Sequence, residues 1–201
     1  MPTPVSSQDD SIPRTRGPSA WVVAVLTSPW CQGGVMDRTD TPSTVDERTT
    51  ALTLLRYVRE TALAKAEGLP EDLAHATPLA TSPLMSIANV INHLRWNEHY
   101  WVEVVVAGGE DRAPWSDEHP DGEFEIAAQM TLDDILTGYR QQIAACDAIL
   151  AERDLDDLTA KPRRDFQPNV RWVVAHLVEE TARHNGHLDI LRELADGEVG
   201  D

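Results

Sequence analysis

Apolar residues recur at spacings of three and four along four long segments of the chain, and this spacing predicts amphipathic helices. The segments are separated by breaks rich in proline and glycine, and no alternating pattern of useful length predicts a strand. The first predicted helix runs from Val45 to Glu67, the second from Ser82–Pro83 to just before Gly108, the third begins at Thr131, and the fourth runs from Val170 to Ala195. The pattern predicts an all-α fold, a four-helix bundle.

Polar and glycine residues at the ends of these segments support the boundaries. Thr131 with Asp134 three residues later is a variant of the capping box. Asn169 is a predicted N-cap, and Gly197 is a predicted C-terminal stop. Between the second and third helices, residues 108–130 form a long acidic loop that contains Trp115, His119 and Phe124. Long loops in compact domains are often functional or mobile, so this loop, with Trp115, is a candidate cover for a site.

The N-terminal region does not share the helical pattern. Arg14 and Arg16 precede a short apolar run at 20–26, but the run is soon broken and lacks the other features of a signal peptide. We therefore expect residues 1–40 to be a disordered or non-native extension, residues 41–197 to form the bundle, and residues 198–201 to be a tail.

Composition excludes several classes of partner. The 201-residue chain has a formal net charge of −17, so it lacks the basic surface that nucleic acids or anionic membranes require. Its two cysteines, Cys31 and Cys146, lie in unlike contexts and form no disulfide framework. This usage fits a reducing compartment, and we expect a cytoplasmic protein.

The fourth predicted helix carries ionisable residues on its apolar side. On a helical wheel, one face collects Trp172, Val173, His176, Leu177, Glu180, His184, His187, Leu188, Leu191 and Leu194. The opposite, solvated face collects Glu179, Asn185, Asp189, Arg192 and Glu193. Buried ionisable groups are costly unless they are paired or bind an ion. Three pairs have suitable spacing for one metal ion: Glu180 with His184, His184 with His187, and His176 with Glu180; a simple hydrogen-bonded pair is the alternative for each.

A metal site would also need a ligand from another helix, and the second helix offers His93. The wheel places His93 at the edge of the apolar face beside Asn97, and Glu98 nearer its middle. It places His99 outward, with Asn92 and Arg95. Imidazole suits zinc, nickel and iron, so His93 is the natural third ligand, although a histidine at the surface boundary is the alternative.

Two segments resemble a known superfamily. Residues 92–101, NHLRWNEHYW, are similar to the second-helix motif of the DinB/YfiT-like superfamily. Residues 171–193, RWVVAHLVEETARHNGHLDILRE, resemble the last-helix signature of an uncharacterised actinobacterial branch, which Asp46–Thr49 and Leu69–Pro70 also match. The branch is related to the N-terminal domain of mycothiol-dependent maleylpyruvate isomerase. The resemblance covers roughly residues 36–197 and implies a DinB-like four-helix bundle.

The resemblance also implies a divalent metal site. Many members bind the ion through one second-helix histidine and two last-helix ligands, which here correspond to His93, Glu180 and His184. Glu180 departs from the all-histidine form and matches a glutamate subgroup. Zinc is the expected ion, with nickel or iron as alternatives. Mycothiol, or a similar low-molecular-weight thiol, is the implied co-substrate.

The working hypothesis is an enzyme whose metal ion activates a thiol for S-transfer to an electrophile or for isomerisation. Four neighbouring residues would contact the metal ligands or the substrate: His187, Arg183, His176 and Asn97. Cys146 is a poor nucleophile because no basic residue lies one turn away, and it is expected to be a small core residue. The alternative is a non-catalytic, metal-binding or stress-related bundle. Exposed bundle faces would also allow a homodimer.

Overall fold

The computed structural model describes residues 44–199, and within them six helices pack as an all-α bundle. The helices are α1 (Glu47–Ala66), α2 (Glu71–Ala74), α3 (Ile87–Glu98), α4 (Gly122–Ala127), α5 (Leu132–Ala151) and α6 (Val170–Asp196). A π-helical segment, His99–Val106, continues α3. The described part of the chain contains two isolated β-bridges but no strand. The predicted all-α bundle is confirmed; the predictions for residues 1–40, for Cys31 and for the last two residues lie outside the described range.

Two of the predicted helix ends are confirmed by their capping contacts. The Thr131 side chain accepts a hydrogen bond from the Asp134 backbone N–H, and the Asn169 side chain accepts one from Trp172 N–H. At the other end of α6, Gly197 has a φ of 82°, in the left-handed region that favours glycine. These contacts satisfy backbone groups that lack partners inside the helix.

The predicted start of the second helix at Ser82–Pro83 is wrong. The helix begins at Ile87, because Ser86 has the extended backbone of an N-cap and its hydroxyl accepts from Asn89 N–H. Ser82 instead accepts a backbone hydrogen bond from Met85 in a turn that precedes the helix. The four residues 82–85 are consequently free to line a cavity, described below.

The core consists of two apolar clusters along the bundle, separated by a buried polar network. Arg59 on α1 donates to both carboxylate oxygens of Glu98 on α3, at 2.7 and 2.5 Å, and to Asp147 on α5 at 2.7 Å. Tyr139 donates to Glu98 at 3.2 Å, and burial, followed by the charge of Glu98, raises the pKa of this tyrosine. The network joins three helices at the residue where α3 becomes π-helical.

The helical wheel predicted the wrong direction for two residues of the second helix. His99 and Asn92 are fully buried rather than outward. His99 opens the π-helical segment, whose wider turn changes the direction in which later side chains point. Its Nε2 accepts from Arg112 N–H at 3.0 Å. Asn92 donates to the Glu123 carbonyl at 2.7 Å, so the loop that carries α4 covers this face.

The wheel of α6 also needs correction. Asn185, placed on the solvated face, is buried and donates to the Val58 carbonyl of α1 at 2.9 Å. Trp172 and Leu194, placed on the apolar face, are 40% and 54% exposed. The buried side of α6 is therefore rotated from the predicted one, towards Val174, Thr181 and Asn185. No helix in residues 44–199 is long and apolar enough to cross a membrane.

Candidate functional site

Helices α3 and α6 bring His93, Glu180 and His184 together. One potential ligand atom from each residue lies within 4.8 Å of the others. The His184 Nε2 and Glu180 Oε2 atoms are 3.7 Å apart, and the rings of His93 and His184 are separated by 4.8 Å between centroids. The spacing of four residues on α6 produces this convergence, since it places Glu180 and His184 one turn apart on one face.

The three residues lie at the boundary of the core rather than inside it. The side chains of Glu180 and His184 are 17% and 18% exposed, and that of His93 is 26% exposed. The expected inward direction of the ionisable stripe is thus corrected, because the rotation of α6 moves the stripe to the bundle edge. The edge position of His93 agrees with its wheel. A small molecule can reach a site at this depth.

His93 is oriented by a carboxylate that the sequence did not indicate. Its Nδ1 lies 2.8 Å from Oε1 of Glu123, whose side chain is only 7% exposed. Glu123 belongs to α4, in the long loop that was a candidate cover. Close packing fixes this helix, because a Cβ on Gly122 would lie 2.2 Å from the Pro114 carbonyl oxygen. With Nδ1 engaged, Nε2 is the nitrogen that His93 has left for the site.

His184 is oriented in a similar way by His187. Their Nδ1 atoms are 3.3 Å apart, so one ring donates and the other accepts. This contact leaves Nε2 of His184 facing Glu180. Burial, and next the neighbouring His93, lower the pKa of His184 to about 4. The imidazole is consequently neutral at physiological pH, which is the form that binds metal ions.

Arg183 contacts the carboxylates of α6. Its guanidinium pairs with Glu179 and lies 3.3 Å from Oε1 of Glu180. Arg183 therefore lies beside one of the candidate ligands, Glu180. Two of its nitrogens thus face carboxylates of its own helix.

His176 and Asn97 lie farther along the same helices. Atoms of His176, Glu179 and Glu180 form a second group within 4.8 Å, so the rival pair of His176 with Glu180 is also brought together. His176 packs between tryptophans, 4.7 Å from Trp101 and 5.0 Å from Trp172, and burial lowers its pKa. Asn97 Oδ1 is buried and has no hydrogen-bond partner among the described residues. Buried side-chain oxygens usually have a hydrogen-bond partner, so this one is an exception.

A cavity of about 310 Å³ opens beside the group of three. His93 and His184 contribute to its wall, and residues 82–85, Val90 and Phe124 supply the remainder. The Phe124 ring is stacked on His93 with centroids 6.0 Å apart. The acidic loop therefore reaches the site through Glu123 and Phe124, whereas Trp115 packs near Tyr100, at 6.4 Å.

The donor set suits a catalytic metal ion. Two imidazoles and one carboxylate are ligands that zinc takes in catalytic sites, where a fourth position remains for water or substrate. Glu123 contacts Nδ1 of His93 and His187 contacts Nδ1 of His184, and contacts of this kind orient metal-binding histidines. Cys146, by contrast, is fully buried in the core, and burial raises the pKa of its thiol. The prediction that it is a core residue is confirmed.

Comparison with protein families decides where this bundle belongs. The profile of the Mycothiol-S-transferase family matches residues 50–197. The chain belongs to the mycothiol-S-transferase family. This membership confirms the resemblance to DinB/YfiT-like proteins and implies S-transfer activity with mycothiol. The matched range includes His93, Glu180, His184 and Glu123. No curated protein matches the chain.

Proposed function

We propose that this protein is a metal-dependent transferase that joins the sulfur of mycothiol to an electrophile. The observation that carries the proposal is the convergence of His93, Glu180 and His184 within 4.8 Å. This group lies beside a cavity and inside the range that matches the family. We propose these three residues as the ligands of a divalent ion, with zinc the expected one, and nickel or iron as alternatives.

When bound, the ion would lower the pKa of a thiol and supply thiolate at neutral pH. The residues of the chain prepare the site for it. Glu123 and His187 each engage the Nδ1 of one ligand histidine, which fixes the ring and leaves its Nε2 for the ion. Because the pKa of His184 is lowered, protons would not compete with the metal ion for its ring nitrogen near pH 7.

Other residues would act on the substrates. Asn97, one turn beyond His93 on α3, would turn its side chain when mycothiol binds, so that the buried and unpartnered Oδ1 accepts a hydrogen bond from the substrate. His176 and the tryptophans that flank it would form the neighbouring wall. Arg183 would hold Glu180 in place through their ion pair.

Metal content tests the ligand assignment. Protein purified without chelator is expected to contain one divalent ion per chain. His93→Ala and His184→Ala should lose it, while His119→Ala, which changes an exposed histidine of the acidic loop, should retain it. His176→Ala tests the rival group. If this variant loses the ion and His93→Ala does not, the assignment is wrong.

Turnover separates an enzyme from a binding protein. The metal-loaded protein should accelerate the reaction of mycothiol with an electrophile, and a chelator or His184→Ala should abolish the acceleration. An ion that binds stoichiometrically without any thiol turnover would favour the alternative function, a non-catalytic metal-binding bundle.

A further inference from the structure

The cavity beside the candidate metal site has walls of one chemical kind. Apart from His93 and His184, it is lined by five apolar residues and one serine: Pro83, Leu84, Met85, Val90, Phe124 and Ser82. Phe124 is stacked on His93, and the turn 82–85 lines the same cavity as the two histidines. A molecule in the cavity would therefore have one end at the ligands and its remaining surface on apolar side chains.

The charges near the cavity disfavour an anion. The lining contains no lysine or arginine. The arginine closest along α6, Arg183, is paired with Glu179 and Glu180, and the whole chain has a net charge of −17. A carboxylate or phosphate placed against the apolar side chains, away from the two histidines and any ion they hold, would lose water without gaining a cationic partner, which is costly. An uncharged apolar molecule gains from the same burial.

We infer that the cavity is the electrophile subsite and that it selects small, uncharged, apolar electrophiles over anionic ones. This inference rests on the proposed function and deepens it, because it names the chemical class of the electrophile. The volume of about 310 Å³ lies at the lower end of ligand pockets, which suits a single substituted ring. In the transfer, the thiolate sulfur attacks the electrophilic carbon, a C–S bond forms and the bond to the leaving group breaks. The thiol proton passes to solvent, and no oxidant or reductant is needed.

Two chlorinated nitroaromatics provide a matched test. 1-Chloro-2,4-dinitrobenzene is uncharged, and 4-chloro-3,5-dinitrobenzoate loses chloride in the same substitution but carries a carboxylate. Each rate with mycothiol is divided by its uncatalysed rate. The acceleration is expected to be at least about tenfold greater for the uncharged compound, because the carboxylate finds no partner in the walls. Equal accelerations, or a preference for the benzoate, would overturn the inference.

Leu84 offers a site to reverse the selectivity. It lines the cavity and is 42% exposed, so Leu84→Arg adds a cation at the mouth without enlarging the core. Ile190→Arg is the matched control, because Ile190 is 53% exposed on α6 and does not line the cavity. The first variant should shift the ratio towards the benzoate by about five- to tenfold, and the control should leave it within about twofold. Identical ratios in both variants would overturn the inference.

Binding of unreactive analogues distinguishes failure of the inference from failure of the proposed function. 1,3-Dinitrobenzene and 3,5-dinitrobenzoate lack the leaving group, and calorimetry measures their affinities for the wild type, Leu84→Arg and Ile190→Arg. Comparison of the two variants cancels any contribution of a bound ion. If no thiol turns over but Leu84→Arg alone shifts binding towards the benzoate, the subsite stands and the transferase proposal fails. If turnover occurs and binding is unaffected, the subsite assignment fails.

Discussion

Glu123 provides the sharpest test of how the candidate site is built. Glu123→Gln keeps the size of the side chain but removes the charge that faces Nδ1 of His93 at 2.8 Å. The amide can also present its N–H₂ group to the ring, which would remove the constraint that leaves Nε2 for the ion. We expect the variant to fold and to bind the ion more weakly.

The size of the effect follows from the position of the contact. Partners of metal-bound histidines change metal affinity by about 10- to 100-fold when they are mutated, or about 1.4–2.7 kcal/mol. Glu123 is only 7% exposed at its side chain, so solvent screens the contact weakly and the upper half of this range is expected. A surface contact would give much less.

Competition with a chromophoric chelator measures the affinity of both proteins for zinc. Glu125→Gln is the control, because Glu125 lies on the same short helix, carries the same charge and has a side chain that is 62% exposed. Thermal unfolding of the metal-free proteins checks that both variants are folded. A Glu123→Gln affinity within twofold of the control would refute the assigned role of Glu123, and with it the orientation of His93.

Three further predictions concern the core and the titration of the site. Glu98→Ala leaves Arg59 buried with a single partner and should reduce the free energy of unfolding in urea by about 3–5 kcal/mol, whereas a loss below about 1 kcal/mol would contradict the buried network. The folded-state pKa of His184 is about 4, below its ordinary value of 6.5. The unfolded chain therefore binds this proton first, and the metal-free protein should lose up to about 3 kcal/mol of stability as the pH falls from 6.5 to 4. If the free energy of unfolding of His184→Gln depends on pH as that of the wild type does, the lowered pKa is wrongly assigned to His184. In a Cys31→Ser background, Cys146 should react with a thiol reagent only after unfolding, since its thiol is buried with a raised pKa; rapid labelling of the folded protein would contradict this.

Local signals in the sequence were sufficient for most of the helix framework. Thr131, Asn169 and Gly197 mark helix ends through contacts within three or four residues, so their roles can be read from the chain. The start of α3 was misjudged because Ser82–Pro83 and Ser86 both fit an N-cap, and only one has the required backbone. Such choices depend on a turn that spacing does not determine.

The spacing of apolar residues could not predict contacts between distant parts of the chain. Glu123 reaches His93 across 30 residues, through a loop whose path has no periodicity. Asn185 is buried because a carbonyl of α1, 127 residues away, accepts its hydrogen bond. His99 is buried where the π-helical turn breaks the angle on which a wheel depends. The resemblance selected His93, Glu180 and His184, but the elements that orient them came only from the structure.

Glu98 and Glu180 show why polar residues on an apolar helix face do not identify a site by themselves. Both were placed inward by the same periodicity. Glu98 is 1% exposed and is saturated by Arg59, which lies 39 residues away, so its charge is used to join helices. Glu180 stays at the edge, 17% exposed, with His184 one turn away and the exposed Arg183 at 3.3 Å. Tertiary packing therefore separates a structural carboxylate from a candidate ligand through the partner that it supplies. A carboxylate that remains within reach of the imidazoles of His93 and His184 is the one left to bind an ion.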